Sequence, residues 1–224
     1  MSLIYNGPCY RSGTFILSDH GETPVESLHI GDRVVLAHGG TAAISWLGHR
    51  HIDCRRHPKP AEIWPVRVAA EAFGSKQPSR DLWLSPDHAV YVAGVLIPIR
   101  YLVNDATIVQ EPADEVTYWH VELAAHDVIL AEGLPCESYL DTGNRSAFAN
   151  GGDEVMLHPD FALKVWETQA CAELVLNGPK LAVAKRMVLA QAHALGHRVW
   201  PSIMAALNLS VSGRSIIFST CSQN

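Results

Sequence analysis

The chain has 224 residues, 48% of them hydrophobic, and a formal charge of −6 with an isoelectric point near 6.0, enough apolar material for one large domain or a domain with an appendage. Lysines and arginines are scattered, so no basic face for nucleic acid or an anionic membrane is expected. No run reaches the roughly 20 apolar residues of a membrane span, and the opening Met-Ser-Leu-Ile-Tyr-Asn-Gly-Pro lacks the basic start and apolar middle of a signal peptide.

A short flank, residues 1–8, leads to Cys9 in Asn-Gly-Pro-Cys-Tyr-Arg-Ser-Gly-Thr. From Gly13 to about Tyr139 the pattern is strand-like: Thr14–Leu17, Arg33–Leu36, Ala43–Leu47, Trp64–Val68, Val90–Val92 and Val116–Leu123 are short apolar runs separated by Gly, Pro, Asp and Asn. Such spacing predicts an all-β domain of closely spaced hairpins, with one short helix near Ala69–Phe73. Ser85-Pro86-Asp87-His88 interrupts two apolar runs, Leu82–Leu84 and Ala89–Val92, as a polar turn. Tyr118–Leu134 reads as a hairpin about Ala124-Ala125, with His126 opening the returning strand. Beyond Asp141 a polar connector through Ala149-Asn150-Gly151-Gly152 marks a boundary between 140 and 156. A helix is expected from Pro159 to about Ala172. A second has Asn177-Gly178-Pro179 at its start, runs over Lys180–Leu195 and ends at Gly196. Ile203–Phe218 is apolar enough to pack back on the rest.

Five cysteines, Cys9, Cys54, Cys136, Cys171 and Cys221, are an odd number at wide, irregular spacings, which argues against a disulfide framework. His49, His51, Cys54 and His57 cluster in sequence, but their spacing is not a standard zinc pattern. Three arginines nearby would repel a cation, so a polar strand end competes with a metal site there.

Cys9 can act on the bond before it. Its thiol, as thiolate, can attack the Pro8 carbonyl through a five-membered ring, provided another group protonates the departing amide nitrogen. The planar amide resists this unless the fold distorts it. The alternative is a small buried thiol at the mouth of the first strand. His88 stands at a strand end able to aim a proton donor. Ser85 is placed to bind a developing oxyanion, to orient His88, or to close the turn. Asp87 reads as a turn residue. Cys136 is either an acceptor for the acyl group from Cys9 or a packed free thiol.

Taken in order, Cys-Tyr-Arg-Ser-Gly-Thr, Thr23-Pro24-Val25-Glu26-Ser27-Leu28, Ile30-Gly31-Asp32-Arg33-Val34, Leu84-Ser85-Pro86-Asp87-His88 and the His126–Leu134 strand resemble a Hint domain, the fold of Hedgehog autoprocessing domains and inteins, and more closely its bacterial group. The resemblance implies a mainly β Hint fold over 9–140, with a partly helical C-terminal extension over 141–224. It makes Cys9 the nucleophile of an N-to-S acyl shift and His88 the group that assists cleavage of the Pro8–Cys9 bond. Ser85 stands where the family usually has threonine, and His126 where inteins place a histidine of the last motif. Inteins end in His-Asn, but here Leu134 is followed by Pro135-Cys136-Glu137-Ser138, so N-terminal cleavage without full splicing is expected, and the proline ring of Pro8 should slow it.

The substrate implied is an N-terminally fused protein segment, resolved by water or a small nucleophile, with no cofactor, nucleic acid or membrane involved. Eight residues are few for a useful product, so either the domain follows an upstream cargo in a longer protein or cleavage has lost its purpose. The competing reading is a catalytically inactive Hint-fold binding or structural module.

Overall fold

A computed structural model describes residues 8–143, 145, 148–150 and 159–197. Its strands are β1 (Tyr10–Arg11), β2 (Phe15–Ser18), β3 (Gly21–Pro24), β4 (Arg33–Val35), β5 (Thr41–Asp53), β6 (Val66–Val68), β7 (Leu82–Leu84), β8 (Ala89–Val92), β9 (Val95–Pro98), β10 (Ile108–Gln110), β11 (Glu115–Leu123), β12 (Val128–Ala131) and β13 (Leu134–Glu137). Two helices follow, α1 (Pro159–Gln169) and α2 (Gly178–Ala194). The strands are hydrogen-bonded in the order β10-β6-β7-β1-β11-β5-β4-β2-β12-β13-β8-β9, with β3 on β2, and every pairing of these strands is antiparallel.

Alternation drives the arrangement. In β11 the residues Val116, Tyr118 and His120 are buried while Thr117 and Trp119 are only partly so, the period-two signature of a sheet with one face on a core. The β8–β9 connection is a two-residue turn, Ala93 (φ 53°) and Gly94 (φ 81°), the left-handed pair that matches strand twist in tight hairpins. The long β5 pairs with β11 along one stretch and with β4 along another. It thereby joins the two halves of the sheet, and a bulge at Glu122/Leu123 marks the shift.

The main core includes Ile16, Ile44, Leu84, Ile97, Val121 and Ile129 together with Leu181, Ala184 and Val188 of α2. The extension is also tied in by backbone bonds on both sides of Leu96, from Leu96 N–H to the Glu173 carbonyl (2.9 Å) and from Val175 N–H to the Leu96 carbonyl (2.8 Å). A second, smaller cluster holds Cys9, Cys54, Ile63, Val116 and Tyr118.

The α2 boundaries follow the sequence reading: Asn177 stands at the N-cap position without a side-chain cap bond, Pro179 sits in the first turn, and Gly196 (φ 82°) ends it in the left-handed conformation that glycine adopts without a Cβ penalty. Other expectations need correcting. Ala69–Phe73 is a series of turns, with Glu71 at φ 62°, a conformation incompatible with a helix. Tyr118–Leu134 is not a hairpin, because β11 pairs with β1 and β5 whereas β12 pairs with β13 and β2; His126 lies in the link between them. The expectation for Ile203–Phe218, the flank before Pro8 and Cys221 lie outside the described residues. Among the described residues no helix is long and apolar enough to cross a membrane.

If α2 is part of one cooperative unit with the sheet, Leu181→Ala should lower stability by about 2–5 kcal/mol within a single unfolding transition. Circular dichroism during urea denaturation measures this, and an unchanged midpoint or a separate early transition would show that the helix folds on its own.

Candidate active site at Cys9

Strand register builds the site. Tyr10 lies opposite Trp119 on β11 and opposite Leu84 on β7. Moving one residue back along β1 while each antiparallel partner moves one residue forward brings Cys9 between His120 and Ser85. The side chains meet accordingly: Cys9 Sγ and His120 Nε2 are 2.8 Å apart, and the Cys9 N–H donates to Ser85 Oγ at 3.0 Å. The Ser85 N–H returns a bond to the Cys9 carbonyl at 3.0 Å. Ser85 therefore holds the nitrogen of the Pro8–Cys9 bond itself. It also closes the turn, accepting the His88 N–H on its carbonyl at 3.0 Å. Asp87 pairs with Arg100 at 2.8 Å, which anchors the turn as its sequence reading suggested.

Burial sets the protonation states. Cys9 is buried, and desolvation pushes its thiol far above the ordinary range, although the Ser85 hydrogen bond and the Arg50 charge pull the other way. His120 is fully buried, and desolvation, then His88 and Arg50, hold it well below the usual histidine value. It is a neutral imidazole beside a protonated thiol, which is the arrangement for passing a proton from sulfur to nitrogen. His88 is likewise buried and its pKa lowered by desolvation, against the opposing influence of Glu137 and of the Cys9 and Glu137 backbones. Neither of its ring nitrogens makes a well-formed hydrogen bond among the described residues. Its ring sits edge-on to Tyr10, with centroids 4.3 Å apart.

The structure brings Cys9, Ser85 and His88 together and leaves His126 elsewhere. His126 Nδ1 accepts the Cys171 N–H at 3.0 Å, Nε2 faces Glu137 at 3.5 Å, and the ring meets Trp166. Its link to the site runs through Glu137, whose carboxylate accepts the N–H of Ala89, next to His88, at 2.6 Å. The Glu137 carbonyl also accepts the Tyr10 hydroxyl at 3.0 Å. Cys136 is packed in the main core and belongs to a different cluster from Cys9. The four side chains of the 49–57 cluster have separate partners. His49 stacks on Trp119, His51 meets Thr117 at 3.0 Å, the Cys54 thiol donates to the Ile52 carbonyl at 3.9 Å, and His57 accepts the Lys59 N–H at 3.2 Å. Among the described residues no three His, Cys, Asp or Glu side chains converge as metal ligands.

His120 is the residue the sequence reading passed over. Its signal was a histidine on the inward face of a strand otherwise carrying Val116 and Tyr118 there. Around it stands an aromatic wall: Phe148 at 4.1 Å and Tyr139 at 5.3 Å between ring centroids, with Trp46 behind them. Gly48 lies opposite His120 on β5, and a Cβ there would overlap the six-membered ring of Trp46.

A cysteine paired with a histidine and a hydroxyl at the start of a β-fold's first strand defines a candidate self-processing domain. The chain belongs to the Hint domain family, whose sequence profile matches residues 8–143, and this is a family of autoprocessing and splicing domains. Solved structures similar to it include the gp41-1 intein (11% identical, covering 58% of this chain and 98% of that chain, TM-score 0.42). Others are a bacterial intein-like domain from Clostridium thermocellum (15%, 58% and 97%, TM-score 0.42) and a DnaB intein from Synechocystis (8%, 58% and 98%, TM-score 0.42). No curated protein matches the chain in sequence.

Because Cys9, Cys54 and Cys136 are buried and Cys171 is exposed, iodoacetamide at neutral pH should label Cys171 first of these four in the native protein. Peptide mass mapping over time reads the order. Cys9 reacting ahead of Cys171 would mean an accessible thiolate and overturn the protonation assignment.

Proposed function

We propose that this chain is a cysteine-dependent self-processing domain that cuts the Pro8–Cys9 bond through an internal thioester, without full splicing. The observation that carries the reading is the 2.8 Å contact between Cys9 Sγ and His120 Nε2, made at the residue whose nitrogen Ser85 holds. His120 takes the thiol proton as Sγ attacks the Pro8 carbonyl carbon. The carbon–nitrogen bond then breaks, and His88 supplies the proton that the departing Cys9 nitrogen needs. A hydrogen bond from that N–H to Ser85 Oγ favours one orientation of the nitrogen and so assists the bond's distortion out of planarity. His126 acts at a distance in this scheme, as the partner of Glu137, whose carboxylate secures the backbone beside His88.

The substrate is the segment fused ahead of Cys9, and no cofactor enters. The 9–140 portion carries the reaction, with 141–224 as a structural extension. The absence of a His-Asn ending after Leu134 supports cleavage at the N-terminal side alone. A second reading, an inactive Hint module, is favoured by the strong desolvation of Cys9 and by the proline ring next to the attacked carbonyl.

Intact-mass analysis of the chain fused behind a small folded protein, with and without hydroxylamine, separates the two readings. Cleavage before Cys9 should accelerate with hydroxylamine and vanish in Cys9→Ala. It should fall about 10²–10⁴-fold in His120→Ala or His88→Ala. A fusion that stays whole under all conditions selects the inactive module.

The acyl shift also has a pH signature. The acid, His88, must be protonated, and its lowered pKa means that this form fades as pH rises. The base, His120, must be neutral, and its still lower pKa keeps it so in mild acid. With hydroxylamine saturating, cleavage should be faster near about pH 6 than near about pH 8, and the decline should flatten in His88→Gln. A rate that climbs with pH in both proteins would remove His88 from the acid role.

A further inference from the structure

The cleft in front of the Cys9 sulfur is walled by Ile52, Ile63, Tyr118, His120 and Phe148, with Arg50 beside them and exposed Glu62 at its mouth. It has room of about 20 Å³, enough for one water molecule and little more. Phe148 closes one side, with its ring on His120 at a centroid distance of 4.1 Å and on Trp46 at 5.4 Å. The chain just after it is strapped to β5. The Ala149 N–H donates to the His49 carbonyl at 3.0 Å, the Asn150 side chain donates to the Leu47 carbonyl at 2.8 Å, and its oxygen accepts the His49 N–H at 3.2 Å. Arg145 adds an ion pair to Glu122 at 2.5 Å and lies over the Trp46 ring.

We infer that Phe148 selects the nucleophile that resolves the thioester, admitting water and excluding larger alcohols and thiols, so that the domain is a self-hydrolase rather than a transferase. The inference rests on the acyl-shift reading above and specifies its second half. Once Cys9 carries the acyl group, His120 gives up the thiol proton to solvent, from which His88 regains its own, and the neutral imidazole faces the same cleft that Sγ borders. A water in that space gives its proton to His120 as its oxygen bonds to the thioester carbon. The carbon–sulfur bond breaks, and the proton passes from His120 to the departing sulfur. The upstream segment leaves with a carboxylic acid on Pro8, and Cys9 is left as a free thiol with a free amino group. Atoms and charge balance with water as the sole co-reactant, and His120 serves as base in both half-reactions. The apolar wall supports the same choice, because a larger nucleophile must displace the Phe148 ring before it reaches the carbonyl.

The test is the product formed by the same fusion protein in a high concentration of mercaptoethanesulfonate, read by intact mass. The native sequence should release the upstream segment as the free acid, with little thiol adduct. Phe148→Ala should raise the adduct-to-acid ratio on the order of tenfold or more, while Phe148→Leu should stay near the native ratio. Asn150→Ala, which loosens the strap without touching the cleft, should shift the ratio in the direction of Phe148→Ala. Adduct as abundant in the native protein as in Phe148→Ala overturns the selection by Phe148 and leaves the acyl shift standing. Absence of cleavage in every variant overturns the acyl shift itself, and this inference with it.

Discussion

Everything at Cys9 depends on two residues of strand being paired on both sides. β1 is only Tyr10–Arg11, yet β11 and β7 flank it, and Tyr10 is among the most buried side chains of the protein. So short a strand has little intrinsic tendency to persist; its register is imposed by neighbours that already carry their own core faces. That register is also why Cys9, His120 and Ser85, separated by up to 111 positions in sequence, meet within hydrogen-bonding distance. A slip by one residue would turn Cys9 to the opposite face and bring Tyr10 to the position between His120 and Ser85.

The same burial that fixes the geometry removes charge from the site. Cys9, His88 and His120 are each held in their neutral forms by desolvation, so the resting centre is a set of uncharged donors and acceptors in a medium where an unpaired ion costs several kcal/mol. Apart from Arg50 beside the cleft, nearby charged groups are paired: Asp87 with Arg100, Glu137 with His126, Glu122 with Arg145. In the proposed acyl shift the first step is a proton passing from Cys9 to His120, which does not require a standing thiolate. This matches the use of a proximal base in nucleophilic catalysis, where distance compensates for an unfavourable acidity.

The β character of the chain and the positions of Cys9, Ser85 and His88 were legible because they are local signals: apolar runs with period two, a polar turn between two such runs, a cysteine just before the first strand. What was not legible is long-range pairing. β5 runs to Asp53 through Gly48-His49-Arg50-His51, residues whose own preferences argue against a strand, because the ladder to β11 satisfies their backbone groups. β11 and β12 looked like the arms of a hairpin since two apolar runs stood side by side in sequence; their actual partners lie elsewhere in the sheet, and His126 went with that misreading. His120 was passed over for a related reason. A histidine on an inward face is most often a packed one, and only the register opposite Cys9 distinguishes it.

Opposite His120 stands Gly48, where a single methyl group would collide with the Trp46 ring. Gly48 is needed for the space it leaves, which the indole fills, and the rings of Tyr139 and Phe148 rest on that indole. The position therefore bears on the surroundings of His120 from the neighbouring strand. A side chain there would displace Trp46 and with it the rings packed beside His120, and water let in would relieve the desolvation that lowers the histidine's pKa. A residue without a side chain thus helps to keep the space around an imidazole on the neighbouring strand filled and dry.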